Sequence, residues 1–164
     1  MEEELPLEHN PYRDITFYTG VGKCNATLKA LELIYERSPT LIINFGTAGT
    51  CNDTLSGLVE CGIFVDRDDS ATFNNNARII TNPNLFTLST GDNFVTSKID
   101  KCDVVDMEAY CIAKACQKHQ IKFKCFKYIT DYVNEASRQD WNVNISRGYP
   151  IFLEEVHGHI KNTI

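Results

Sequence analysis

Apolar residues recur along this chain in two rhythms: short runs, and longer stretches repeating at three and four residues. Residues 15–19 (Ile-Thr-Phe-Tyr-Thr) predict a strand. Gly20 and Gly22 then turn into a helix in which Cys24, Thr27, Leu28, Leu31 and Ile34 recur at helical spacing. Ser38 and Pro39 stop it. Residues 41–45 (Leu-Ile-Ile-Asn-Phe) predict an apolar strand that leaves through a glycine loop, Gly46-Thr-Ala-Gly49.

Residues 58–66 and 77–81 predict further strands, with turn chemistry at Asn74, Asn75 and Asn76 between them. Residues 85–90 read as extended and lead into Gly91-Asp-Asn-Phe-Val95. A short strand at Val104 runs into a helix that carries Glu108 and, over 109–117, buries Ile112, Ala115 and Cys116. A strand over 121–130 ends on Asp131, which opens a polar stretch reaching Trp141. Ile145, Tyr149, Phe152, Val156 and Ile160 again have helical period, with a break at Gly148 and Pro150. Strands alternating with helices predict one α/β domain over 1–164. Its sheet should be mixed, because several middle strands follow one another without helices. Glu108 and Asp131 then fall on what this pattern makes neighbouring strand ends, where open α/β sheets place ligands.

Composition narrows the function. The 164 residues suffice for a real core, with 43% apolar and 23% charged. No apolar run approaches the roughly 20 residues of a membrane span, and the acidic N-terminus has no secretory pattern, so a cytoplasmic location is expected. The net charge of −6, with scattered lysines, argues against nucleic acid. Seven cysteines, an odd number without a Cys-x-x-Cys pair, suit reduced thiols. The four histidines are dispersed, so no metal or cofactor is expected.

Four segments in order, Thr19-Gly-Val-Gly-Lys-Cys-Asn-Ala26, Ile42-Ile-Asn-Phe-Gly-Thr-Ala-Gly49, Ser89-Thr-Gly-Asp-Asn-Phe94 and Val105-Asp-Met-Glu-Ala109, carry a resemblance that Ile129-Thr130-Asp131 completes. Together they resemble the nucleoside phosphorylase/nucleosidase superfamily, most closely the 5′-methylthioadenosine/S-adenosylhomocysteine nucleosidases. The resemblance implies a three-layer fold around a central mixed sheet, here lacking the first strand. It also implies hydrolysis of an adenine nucleoside, 5′-methylthioadenosine or S-adenosylhomocysteine, to free adenine and the sugar. Breaking that bond passes through an oxocarbenium-like sugar, and a carboxylic acid at N7 can neutralise the departing base.

By the same resemblance Asp131, with Thr130 before it, is the general acid, and an acid here goes with a 6-amino purine. Glu108 would accept hydrogen bonds from the ribose hydroxyls, with Met107 against the sugar. Phe94 and Val95 would stack on the base and read its edge, while Thr47, Ala48 and Gly49 approach base and sugar closely. Trp141 falls where the family has a further aromatic, and Lys127 where it has an arginine. Glu4 matches the glutamate that activates water. It stands on a free N-terminus, however, which should hold a base poorly. The segment from Leu5 to Asp14 is shorter than the family hairpin, and the family's insert over the 5′ substituent is cut short between Asp69 and Ala77.

Few arginines and no glycine-rich phosphate loop point to water as the nucleophile. The alternatives are a phosphorylase or nucleosidase for another adenine nucleoside, or a purine-nucleoside-binding module with impaired catalysis. A homodimer or higher homo-oligomer is expected, with the N-terminal segment and the helix over 22–36 at its interface.

Overall fold

The computed structural model describes residues 1–69 and 78–161. The turn expected at 74–76 and most of the shortened insert lie outside them.

Two parallel strands form the centre, β1 (Leu41–Thr50) and β6 (Lys122–Tyr132). Ile42, Phe123 and Cys125 face one core, while Ile43, Phe45 and Phe126 face another, as the two-residue period of a strand dictates. Both faces are apolar, so both are covered by helices. α1 (Lys23–Arg37) and α2 (Ala109–Lys118) cover the first through Ala26, Ala30, Ile34, Ile112 and Cys116. α4 (Tyr149–Lys161) covers the second, its Phe152 ring stacked 4.2 Å from that of Phe45. These are the three layers the sequence predicts.

β2 (Leu58–Asp66), β3 (Ile79–Ile80), β4 (Phe86–Thr90) and β5 (Val104–Asp106) complete a sheet of order β3-β2-β4-β5-β1-β6. β4 runs parallel to both β2 and β5, while β5 runs antiparallel to β1, so the sheet is mixed. The first half of β2 also pairs antiparallel with β6, which closes the sheet on itself. α3 (Ser137–Asn144) lies beyond β6.

Several expectations need correction. Residues 15–19 are not a strand: a 3-10 turn (Arg13–Ile15) leads into irregular chain. A strand needs a partner's ladder. Here a second cavity of about 510 Å³ separates these residues from β1, which pairs with β5 only at Gly49 and Thr50. Leu28 is 63% exposed and does not belong to the buried stripe of α1, which is Ala26, Ala30 and Ile34. The glycine loop at 46–49 is instead the continuation of β1, because its backbone keeps pairing with β6. The polar stretch before Trp141 contains α3. Finally, the strands leading to Glu108 and Asp131 are not neighbours: β1 lies between β5 and β6.

Candidate active site

One cavity of about 500 Å³ opens where β1, β5 and β6 end. It is large enough for a nucleoside. Every candidate residue from the sequence lines it except Thr130, which lies just behind.

Asp131 is aimed by an irregularity in the sheet. Ala48 pairs with Ile129 and Gly49 with Asp131, so Thr130 is an extra residue on β6. Such a bulge turns the next side chain. The Thr130 hydroxyl donates to Asp131 Oδ1 at 3.0 Å and also lies 3.3 Å from the Ala48 carbonyl. Gly49 has no room for a side chain, because a Cβ there would stand 2.8 Å from Asp131 Oδ2. A small residue is required to admit the carboxyl group. Burial pushes the Asp131 carboxyl up, against hydrogen bonds from Thr130 and Ser137. Asp131 caps no helix, since α3 starts behind Ala136.

Glu108 occupies the N-cap of α2 without using its side chain as a cap. Its Oε1 instead accepts the Gly22 N–H at 2.7 Å. Gly22 has φ 93°, which a glycine reaches freely, and this turns its amide toward Glu108 at the start of α1. Burial first, and the neighbouring Asp106 charge second, raise the Glu108 carboxyl to about 7.

Asp106, a residue that sequence reasoning left without a role, organises the floor. It accepts from Thr90 Oγ1 at 2.5 Å and from the Ala109 N–H at 2.8 Å, and it pairs with Lys127 Nζ at 2.9 Å. Lys127 is only 2% exposed. Burial opposes its charge, yet Asp106, Cys125 and Glu108 outweigh that and hold it protonated. An acid three residues ahead of a helix's first residue was the available signal. Arg67 was also missed, and no spacing marks it. Its guanidinium donates to the carbonyls of Ser89 (2.7 Å), Asp106 (2.8 Å), Gly91 (3.1 Å) and Asn93 (2.5 Å). It thereby gathers the ends of β4 and β5 with the loop that carries Phe94 and Val95.

Glu4 is held on the opposite wall, contrary to the expectation of a loose terminus. Its Oε1 accepts from the Thr47 N–H at 2.7 Å and the Thr47 hydroxyl at 2.6 Å, and its Oε2 meets the Met1 ammonium at 2.5 Å. Burial pushes this carboxyl up, but the ammonium and Thr47 outweigh burial and hold it below the usual carboxylate range. Trp141 Nε1 donates to Thr47 Oγ1 at 2.8 Å, so indole, hydroxyl and carboxylate form a chain. Half-buried Phe94 carries the Arg138 guanidinium 5.7 Å over its ring, and half-buried Met107 lies beside Glu108.

An acid with a raised pKa, a base with a lowered one and a third carboxylate near 7 converge on one cavity. Such an arrangement can donate a proton on one side and accept one on the other. Among the described residues no cluster of His, Cys, Asp and Glu could hold a metal ion, and no helix is long and apolar enough to cross a membrane.

No family model and no curated protein sequence matches the chain. Solved structures do. Futalosine hydrolase of Helicobacter pylori is 18% identical with a TM-score of 0.75, over 88% of this chain and 78% of that one. The 5′-methylthioadenosine/S-adenosylhomocysteine nucleosidase of the same organism, in complex with butyl-thio-DADMe-Immucillin-A, is 18% identical with a TM-score of 0.74 over the same shares. S-adenosylhomocysteine nucleosidase from Streptococcus pyogenes, in complex with 5-methylthiotubericidin, is 19% identical with a TM-score of 0.67, over 80% of this chain and 72% of that one. The fold of this chain is therefore the fold of these nucleosidases.

Proposed function

We propose that this chain hydrolyses the N-glycosidic bond of an adenine nucleoside, with 5′-methylthioadenosine or S-adenosylhomocysteine as substrate. The observation that carries the reading is the convergence of Asp131, Glu108 and Glu4 on one cavity of nucleoside size. Asp131 protonates N7 of the departing adenine, and the burial that raises its carboxyl favours this role. Glu108 holds the ribose hydroxyls and offsets positive charge on the sugar. Glu4, ionised and anchored by Thr47, takes a proton from the attacking water. Phe94 supplies a flat surface for the base. The similar structures favour adenine nucleosides, since two of them are methylthioadenosine or S-adenosylhomocysteine nucleosidases.

Water is favoured over phosphate because the Arg67 guanidinium is committed to four backbone carbonyls and Lys127 to Asp106. Self-association belongs to the same proposal. Ile15, Phe17 and Val21 of the N-terminal segment and Leu28 and Tyr35 of α1 are exposed apolar side chains, on the surfaces expected to meet a second copy. The deciding experiment measures adenine release from a panel of nucleosides, with and without phosphate, and identifies the sugar. Free sugar from 5′-methylthioadenosine or S-adenosylhomocysteine is the expected product. Sugar 1-phosphate overturns the hydrolytic reading, and adenine bound without turnover reduces the chain to a binding module.

A further inference from the structure

The turn that opens α1 connects two parts of the cavity. Gly22, the N-cap, has no side chain to cover the first amides of the helix, and carboxylates from elsewhere take them. The Gly22 N–H donates to Glu108 Oε1 at 2.7 Å, and the Lys23 N–H donates to Asp92 Oδ1 at 3.1 Å. Glu108 is the N-cap of α2, whereas Asp92 belongs to the loop after β4 that carries Phe94 and Val95 into the cavity. Two consecutive amides thus hold one acid from the ribose side and one from the base side. Both acids also lie at the positive end of the α1 dipole.

The Lys23 side chain adds a second tie. Its ammonium lies 3.0 Å from Oδ1 of Asp66 at the end of β2, 2.7 Å from Asp68 Oδ2 and 3.6 Å from Asp92 Oδ2. Asp68 Oδ2 accepts the Asp92 N–H at 2.9 Å as well. The Lys23 side chain is 17% exposed, so salt and water screen it little. One ammonium keeps three aspartates together. Without it, the Asp92 carboxylate would face two like charges at the end of β2. Arg67 grips the same loop by the Gly91 and Asn93 carbonyls, on either side of Asp92.

We infer that Lys23 is a positioning residue: by joining the start of α1 to Asp92 it aligns the base-stacking loop with Glu108, so that purine and ribose are gripped together. Lys23 does not itself line the cavity. The inference rests on the proposed roles of Phe94 at the base and Glu108 at the ribose. It also has a signature in pH. Burial, Asp106 of β5 and Glu4 of the opposite wall push the Glu108 carboxyl up, while Lys127 of β6 and the Gly22 amide pull it down. A turn that loses its hold on the loop also loses that amide bond, and Glu108 then takes up its proton at higher pH.

The test compares the full wild-type chain with Lys23→Met by adenine calorimetry, by kcat and KM for 5′-methylthioadenosine, and by the pH dependence of kcat/KM. Adenine affinity should fall by about tenfold, in line with the loss of a hydrogen bond to a charged group. KM should rise by at least as much, and the acid limb should move to higher pH. Lys23→Arg, which keeps the charge, should restore most of all three. Adding Asp68→Asn to Lys23→Met should recover part of the adenine affinity, because one of the like charges facing Asp92 is gone. If Lys23→Met does not fold, Asp92→Ala cuts the same tie from an exposed loop and should change the same quantities in the same direction. Wild-type affinity, KM and acid limb in either folded variant, with only the melting temperature lowered, overturn the inference, as does a loss in Lys23→Arg equal to that in Lys23→Met. A wild-type chain that neither binds nor releases adenine sinks the nucleosidase reading itself, and the inference with it.

Discussion

Asp131 and Glu4 face the same cavity, yet different kinds of structure hold them. Asp131 belongs to a strand paired along its length with β1, and it is aimed by the bulge at Thr130. Glu4 belongs to a segment without a strand, and its position rests on contacts with Thr47 and Met1, on the buried Leu5 side chain and on the Tyr18 hydroxyl that donates to the Leu5 carbonyl at 2.6 Å. Moving Asp131 means breaking a central ladder, whereas moving Glu4 means releasing its Thr47 contacts and the buried Leu5 beside it, with no ladder to break. In the proposed mechanism, proton donation is therefore built on a central strand of the fold, and water activation on a segment outside the sheet.

The sharpest way to break that contrast is Asp131→Asn. The amide keeps the shape of the bulge but cannot protonate N7, so turnover should fall by about 10²–10⁴-fold with the melting temperature unchanged or raised. Near-normal turnover would remove Asp131 from the mechanism. Glu4→Gln should cost about 10²-fold in turnover while leaving adenine binding intact, read by Trp141 fluorescence. If binding is lost as well, Glu4 holds the wall of the cavity and does more than act on water.

Glu108→Gln tests the floor between these two groups, with an expected loss of about tenfold, larger in kcat than in KM. The wild-type chain should show kcat/KM rising with pH through about 7, because Glu108 must shed its proton to offset charge on the sugar. Hydrogen bonds from the ribose hydroxyls favour the carboxylate, so the same limb in kcat should lie lower. Glu108→Gln should erase this acid limb. An unchanged acid limb in the variant assigns it to another group.

The parts of the fold legible in the sequence are those where side chains dictate structure. The apolar runs of β2 and β4 and the helical spacing before Ser38 are of this kind. The misread parts are those where backbone partners decide. Residues 15–19 have strand composition but no ladder, while Gly46 to Gly49 have loop composition yet pair with β6 throughout. α3 buries only Ser137 and so has no apolar rhythm to announce it. At the site, the candidates were legible through motifs. The bulge at Thr130 was not, because register belongs to two strands at once. Arg67 was invisible for a similar reason: its partners are four carbonyls, and carbonyls leave no trace in a sequence.

The smallest expected effect probes how Glu4 is anchored. Trp141→Phe keeps an aromatic ring at the cavity and removes only the indole N–H that donates to Thr47 Oγ1. The hydroxyl of Thr47 stays free to donate to Glu4, so the loss should be about threefold, in line with one neutral hydrogen bond. Thr47→Val removes the middle of the chain and should cost more, because both the indole and the carboxylate lose a partner. If the three residues act as a unit, combining Trp141→Phe with Glu4→Gln should cost no more than Glu4→Gln alone. Additive losses would mean that Trp141 contacts the base directly, and that the wall carrying Glu4 is held by the Thr47 amide without help from the indole.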